Sequence, residues 1–404
     1  MNPHISIDER LARIRINAFP YFRADWLERL IQLFGSAQEI LRQDAKTLAA
    51  EAQLNEQTAA RLLQDAFAID PQKEWDRTAA LGGHIYLPED EEYPECIKNS
   101  KEPPVALYVL GKLPSINTPT VGMVGTRKIT PYGRRVADKL ATELTQCGIT
   151  VISGLARGVD SACHAAAVRL QKPTVAVIGT GVGRCYPAEN RPLAKAILQY
   201  GGAIVSELPV DSPPNAFHFP RRNRIIAALS QAVTVIEGEV KSGALITAKL
   251  ALEMGKDVLA VPGPIDSPQS GGPNQLIKDG AGVVSCVQDI IDYIPEQLRF
   301  GITDKPLNAQ PAAKAEEAAL DPLAKKVLTV IGHGETSLDA VVEALKIDVP
   351  QAANILFELE VKGILACRNG QTVGAAFSEN GKELTALTGE PAARALLQTV
   401  GNRA

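Results

Sequence analysis

The chain has 404 residues and a net charge of −4, with 45% hydrophobic residues and only 5% aromatic. That length implies two or three domains, and that composition implies an aliphatic, alanine-rich core. The slightly acidic total excludes a uniformly basic polyanion binder, and no apolar run reaches membrane-spanning length.

Met1 to Arg15 is polar and charged, with no signal-peptide apolar core. Six cysteines (Cys96, Cys147, Cys163, Cys185, Cys286, Cys367) are scattered without a Cys-x-x-Cys pair. Both observations predict a cytoplasmic protein in a reducing compartment, without a zinc ribbon or disulfide framework. Charge is uneven along the chain. Thr120 to Ser230 holds 14 Lys and Arg against 6 Asp and Glu, a balance of +8, so the remainder carries −12. This asymmetry predicts one basic surface on an acidic protein.

Residues 8 to about 70 read as short helices. Trp26, Leu27, Leu30, Ile31 and Phe34 recur at helical spacing until Gly35-Ser36 breaks the pattern. Ile40, Leu41, Leu48 and Ala49 predict a second helix, and Ala59, Leu62, Leu63 and Ala66 a third. We therefore expect a helical, SAM/helix-hairpin-helix-like domain over 1–75. Ala18-Phe19-Pro20-Tyr21 stands where a DNA-binding hairpin of this kind needs glycines, which favours packing or protein contact.

His84–Leu87 and Ala106–Leu110 read as strands. Continuous apolar strands then alternate with helices: Thr120–Val124, Thr150–Ile152, Thr174–Ile178, Ala203–Val205, Val233–Ile236 and Val258–Val261, with a further strand near Val283-Val284. The alternation predicts an α/β fold, an extended Rossmann-like doubly wound parallel sheet over 76–298, with a ligand crevice at the strands' carboxyl ends. The Ala/Pro-rich passage within 299–320 reads as a linker. Over 321–380, helices at Leu323–Ile331, Leu338–Leu345 and Val349–Lys362 precede a hairpin, a winged-helix pattern. Winged helices often bind duplex DNA through the third helix, but Glu358, Glu360 and a single Lys362 are poor for phosphate here, so a protein-contact or autoregulatory use ranks at least level with DNA binding. Residues 381–404 read as a tail.

The focal stretch is Phe217 to Leu229. Three arginines (Arg221, Arg222, Arg224) and Asn223 stand between an aromatic pair and an apolar run that must be buried. Cations pinned at a helix start suit phosphate, although structural ion pairing is an equal reading. The strand-end turns supply co-workers. Gly125-Thr126-Arg127-Lys128 offers close amides, a hydroxyl and a guanidinium fork. Ser153 to Asp160 contains Gly154 and Arg157, with Asp160 a candidate helix cap. Gly179-Thr180-Gly181 follows the third strand, and Lys241-Ser242-Gly243 opens a helix whose free amides suit an anion. Glu207 and Glu237 close two strands, either to accept ligand protons or to neutralise arginines. The chain lacks the dinucleotide fingerprint, the P-loop and the Gly-x-Ser-x-Gly elbow, and His4, His84, His164, His218 and His333 have no metal-ligand spacing. We expect no catalytic residue, cofactor or metal.

Gly125-Thr126-Arg127, Ser153 to Asp160, Gly179-Thr180-Gly181, Tyr186-Pro187 with Asn190, Ser206-Glu207, Phe219 to Ala227, Ser242 to Ala248 and Val261-Pro262-Gly263 together resemble the DprA/Smf family of DNA-processing proteins. The resemblance covers most of Thr120 to Val284, in order. It implies a non-catalytic homodimer that binds single-stranded DNA, protects it on entry during natural transformation, works against single-strand-binding protein and loads RecA. It also implies a DNA pocket lined by Arg127 and by arginines of the focal stretch. The candidate DNA-binding set is Gly125, Thr126, Arg127, Lys128, Gly154, Arg157, Gly181, Phe219, Arg221, Arg222, Asn223, Arg224, Lys241, Ser242 and Gly243. The family pattern is broken by Ala188, where a basic residue is common, with Arg184 or Arg191 as substitutes, and by Ala228 and Gly238. The competing enzymatic reading, a nucleoside-phosphate hydrolase on a related sheet, lacks its Pro-Gly-Gly-x-Gly-Thr-x-x-Glu signature.

Overall fold

The computed structural model describes residues 5–19, 22, 24–299, 321–331, 336–361, 365–368 and 372–375. The chain forms two compact units, Met1–Lys305 and Pro306–Ala404. Most of the expected linker, the turn at Asn369-Gly370 and the tail lie outside the described residues.

Six helices open the first unit: α1 (Ile7–Ile16), α2 (Ala24–Phe34), α3 (Ala37–Leu41), α4 (Ala45–Ala52), α5 (Glu56–Ala68) and α6 (Pro71–Ala80). The single helix expected around Ile40 to Ala49 is two, α3 and α4. Asp44 divides them, because its carboxylate accepts from the Thr47 amide at 2.8 Å and starts α4 afresh. Leu27, Leu30, Ile40, Leu48 and Leu62 bury a common core here. Polar contacts tie these helices to the rest of the unit. Arg10 meets Asp90 at 2.5 Å, Arg13 meets Glu89 at 2.5 Å, and the Asn17 amide donates to the Glu207 carbonyl at 2.9 Å.

The sheet has nine strands: β1 (Gly83–Tyr86), β2 (Leu107–Gly111), β3 (Thr120–Val124), β4 (Thr150–Ser153), β5 (Thr174–Val177), β6 (Ala203–Ser206), β7 (Ala232–Val235), β8 (Asp257–Ala260) and β9 (Gly282–Val283). Their order is β1-β2-β6-β5-β4-β3-β7-β8-β9. From β6 to β9 every neighbouring pair is parallel; β2 joins β6 antiparallel, and β1 joins β2 antiparallel. The connecting helices are α7 (Glu95–Lys98), α8 (Pro131–Gln146), α9 (Val159–Arg169), α10 (Arg191–Gln199), α11 (His218–Leu229), α12 (Gly243–Glu253), α13 (Gly271–Lys278), α14 (Val287–Ile291) and α15 (Glu296–Arg299).

Alternate residues of the central strands feed opposite faces. Val121, Met123 and Val151 pack on Ala137, Leu140 and Leu144 of α8. Val124, Ile152 and Val233 pack on Ile225, Ile226 and Leu229 of α11 and Ala248 of α12. Both faces are covered, so the central strands are buried on both sides and mostly apolar, with short polar side chains such as Thr120, Ser153 and Thr234 among them. The chain winds outward from β3 through β4, β5 and β6, then returns to lay β7 on the other side of β3. That reversal opens a crevice at the carboxyl ends of β3 and β7. Lys256 fixes the far end of α11: its ammonium donates to the Ala228 carbonyl at 2.6 Å and to the Ser230 carbonyl.

The second unit contains α16 (Pro322–Ile331), β10 (Thr336–Ser337), α17 (Leu338–Leu345), α18 (Val349–Val361), β11 (Leu365–Arg368) and β12 (Thr372–Ala375). The strands form an antiparallel sheet in the order β10-β12-β11, and the three helices share a core of Val327, Ile331, Val341, Leu356 and Leu359. The unit is a winged helix. The short β10, only two residues long, was not expected from the sequence.

Candidate nucleic-acid interface

The turn after β3 is held from two sides. The Thr126 amide donates to the Glu237 carbonyl beyond β7 at 2.7 Å, and the Thr126 carbonyl accepts from the Val159 amide of α9 at 3.2 Å. Gly158, at φ +80°, makes this approach possible, because a Cβ there would lie 2.2 Å from the Thr126 carbonyl oxygen. Gly125 is equally confined, packed against Val159. A rigid turn therefore presents Arg127 and Lys128, both exposed, at the mouth of the crevice.

Arg127 does not stand alone. Its guanidinium carbon lies 5.0 Å from the centroid of the Phe219 ring, and the Tyr186 ring lies 5.6 Å from Phe219 at 42°. Phe219 rests on Gly179, where a Cβ would come within 2.8 Å of the ring. The three side chains come from the loops after β3 and β5 and from the first turn of α11. Phe219 is half-buried and Tyr186 is 41% exposed, so the group forms an open surface of two rings and one cation. Phe217, by contrast, is 73% exposed.

The arginines of α11 depart from the free phosphate cluster that the sequence suggested. Arg222 and Arg224 are each only 5% exposed. Arg224 is tied to the Glu207 carboxylate and the Glu102 carbonyl. Arg221, half-buried, faces the same Glu207 at 3.3 Å and donates to the Phe22 carbonyl at 3.2 Å. Arg222 donates to the Gly154 carbonyl at 2.7 Å beside the buried Asp160. The correction has a plain cause: α11 is buried on two sides, so its long cations must find carboxylates and carbonyls inside the protein. Burial lowers the Arg222 guanidinium to about 10 despite the attraction of Asp160, with Arg127 adding repulsion. Burial also pushes the Asp160 carboxyl up, against the pull of Arg222. Asp160 does not cap α9; it accepts from the Ala156 amide at 3.3 Å and balances Arg222. Burial lowers the His218 imidazole from its ordinary value, against the pull of Glu207.

Other expected residues lie around this surface. Gly181 sits where a Cβ would strike the Pro209 and Val210 carbonyls, and its amide donates to the Ser212 carbonyl at 3.0 Å. Gly154 leaves room for the Arg222 guanidinium. Arg157, exposed, forks onto Glu189 at 2.6 and 2.7 Å. Asn190 donates to the Leu155 carbonyl at 2.8 Å and bonds the Ser161 hydroxyl at 3.1 Å, bracing Leu155 at φ +55°. Glu237 is not a free carboxylate. Its two oxygens take the Thr130 amide at 3.0 Å and the Thr130 hydroxyl at 2.5 Å, ahead of α8.

Across the crevice, Ser242 precedes α12, and its side chain makes no capping hydrogen bond to that helix. Gly243 leaves its approach open, Lys241 is exposed beside it, and Asn223 of α11 donates to the Gly243 carbonyl at 3.3 Å. Uncapped amides and a lysine make this helix start suited to an anion. Glu189 is the polar participant that the sequence reading passed over; its place directly between the Tyr186 turn and Asn190 was the available signal.

Comparison with known proteins identifies the family. The family model for DNA recombination-mediator protein A matches residues 84–295, and that for the DprA winged helix domain matches residues 310–371. Protein Smf of Escherichia coli is 39% identical over 291 residues, covering 71% of this chain and 76% of that protein. DNA processing protein DprA of Bacillus subtilis is 40% identical over 208 residues, covering 51% of this chain and 70% of that one. The X-ray structure of DNA processing protein A from Streptococcus pneumoniae superposes with a TM-score of 0.55 at 34% identity, covering 62% of this chain and 86% of that one. With the sheet and the winged helix both matched, the chain belongs to the DprA/Smf DNA-processing family.

Proposed function

We propose that this chain binds single-stranded DNA across the carboxyl edge of its parallel sheet. It would shelter the strand from single-strand-binding protein and load RecA onto it during natural transformation or recombination, acting as a homodimer without a catalytic step. The observation that carries this reading is the Arg127–Phe219–Tyr186 surface, with a cation 5.0 Å from one ring and a second ring beside it. Single strands are held by basic grooves and by rings on which bases stack, with little sequence readout. A duplex hides its base faces, so this surface favours unpaired strands. Lys128 beside Arg127, and Lys241 with the α12 start across the crevice, would take phosphates on either side.

The test is anisotropy with labelled single- and double-stranded oligonucleotides over a salt series, paired with RecA loading on strands precoated with single-strand-binding protein. Preference for single strands with a steep salt dependence, and RecA filaments forming on coated strands, are the expected results. Equal affinity for duplex would remove the stacking role. Release of free base from nucleoside monophosphates by the pure protein would replace the non-catalytic reading.

A further inference from the structure

The ion pair between Arg157 and Glu189 bridges the loops after β4 and β5, next to the ring surface. It is bidentate, Nε to Oε1 at 2.6 Å and Nη2 to Oε2 at 2.7 Å, the same fork by which arginine grips a phosphate. Both side chains are more than half exposed, at 59% and 55%. An ion pair this wet adds little to stability, and the two loops do not need it, because Asn190 already joins them through the Leu155 carbonyl and the Ser161 hydroxyl. The Tyr186 ring stands three residues before Glu189, and Gly158, next to Arg157 in the chain, lies against the backbone of Arg127. A guanidinium beside the stacking surface is thus kept occupied by an acid that the fold does not require.

We propose that Glu189 is an internal substitute for a strand phosphate, holding Arg157 until a strand seated on Tyr186 and Phe219 displaces it. This rests on the single-stranded DNA reading above. A free mononucleotide must compete with Glu189 at its bulk concentration. A strand already stacked on the rings delivers its next phosphate at an effective concentration in the millimolar range or higher. Glu189 therefore makes Arg157 a contact that tethered phosphates reach and isolated ones do not. The sign of its effect is unusual: removing the acid strengthens binding.

The experiment compares wild type, Glu189→Gln, Glu189→Asp, Arg157→Ala and the Arg157→Ala/Glu189→Gln double variant by anisotropy on a labelled oligothymidylate, with melting temperatures as a fold control. At low salt Glu189→Gln should bind about two- to five-fold tighter, the range set by an exposed ion pair. The gain should fade as salt screens the pair, and Glu189→Asp should stay near wild type. In the Arg157→Ala background the Gln substitution should change nothing. No gain at low salt overturns the proposal. So does an equal gain without Arg157, since that is general charge repulsion. Arg127→Ala, run in parallel, separates the two levels. If it binds like wild type, the DNA site itself is misplaced; if it weakens while Glu189→Gln gives no gain, only this inference falls.

Discussion

Arg222 and Gly154 compete for one volume. The guanidinium donates to the glycine carbonyl at 2.7 Å, and a Cβ on Gly154 would lie 2.4 Å from Nη1, 2.5 Å from Nη2 and 2.6 Å from Oδ2 of Asp160. Gly154→Ala should therefore dislodge the buried charge pair. Arg222→Met removes the cation and leaves Asp160 buried alone, a change that typically costs about 3–5 kcal/mol. Denaturant unfolding measures both. The penalty in Arg222→Met should depend on pH. Burial already raises the Asp160 carboxyl, and losing its cation raises it further, so the folded state takes up a proton that the unfolded state lacks. The deficit is full above that raised value and shrinks as pH falls through it toward the ordinary carboxylate range near ~3.9.

Arg127 and Phe219 should fail in different ways. Arg127→Ala should weaken single-strand binding by about 1–3 kcal/mol and lower the slope of log affinity against log salt by roughly 0.7, one phosphate contact. Phe219→Leu keeps an apolar plug over Gly179 but offers no ring. It should also lose about 1–3 kcal/mol while leaving that slope in place. Anisotropy at four or five salt concentrations resolves the two; identical slopes in both variants would contradict the assignment.

Glu237 should behave as a structural acid. A glutamine at this position keeps one acceptor for Thr130 but turns an amide donor toward the other. Glu237→Gln should lower stability by about 1–3 kcal/mol and leave the strand affinity of the folded fraction unchanged. Unfolding curves and titrations on the same preparation make the comparison. A large loss of affinity with unchanged stability would instead place Glu237 against the ligand.

His164 should shape the acid limb of stability. The Thr174 hydroxyl donates to the Val151 carbonyl at 2.6 Å, so it accepts from Nδ1 of His164 at 2.9 Å, and the proton sits on Nδ1. Nε2 is buried without a hydrogen-bond partner among the described residues. Burial, with the nearby Arg222 adding repulsion, lowers this imidazole to about 3. The folded value lies below the ordinary one near ~6.5, so stability is present above that and is lost as pH falls, by at most about 1.4 kcal/mol per pH unit. Unfolding midpoints for His164→Gln should change less steeply than wild type between about pH 6 and pH 4.

The sheet was legible because buried parallel strands are short apolar runs bounded by Gly and polar residues; β3 falls on the expected Thr120–Val124. Arg127 was legible for a related reason, since a Gly-Thr turn after such a strand leaves the next side chain outside. The fates of Arg222 and Arg224 were not. Both follow the same helical spacing as a free cluster would, and their partners, Asp160 and Glu207, are brought near only by the winding of the sheet. The helix break at Asp44 was obscured because apolar spacing continues through it, while one side-chain cap decides the boundary.

The position of β2 bears on how the protein is made. This strand is complete early in synthesis, yet one of its two neighbours is β6, with Tyr108 opposite Ser206 and Gly111 opposite Ala203. Until Ala203–Ser206 leave the ribosome, one edge of β2 has its amides and carbonyls without their final partners, and Asn17 still lacks the Glu207 carbonyl. The N-terminal helices therefore cannot dock fully on a nascent chain. Chains that stop short of β6 would expose an adhesive strand edge, which makes them natural clients for chaperones and proteases.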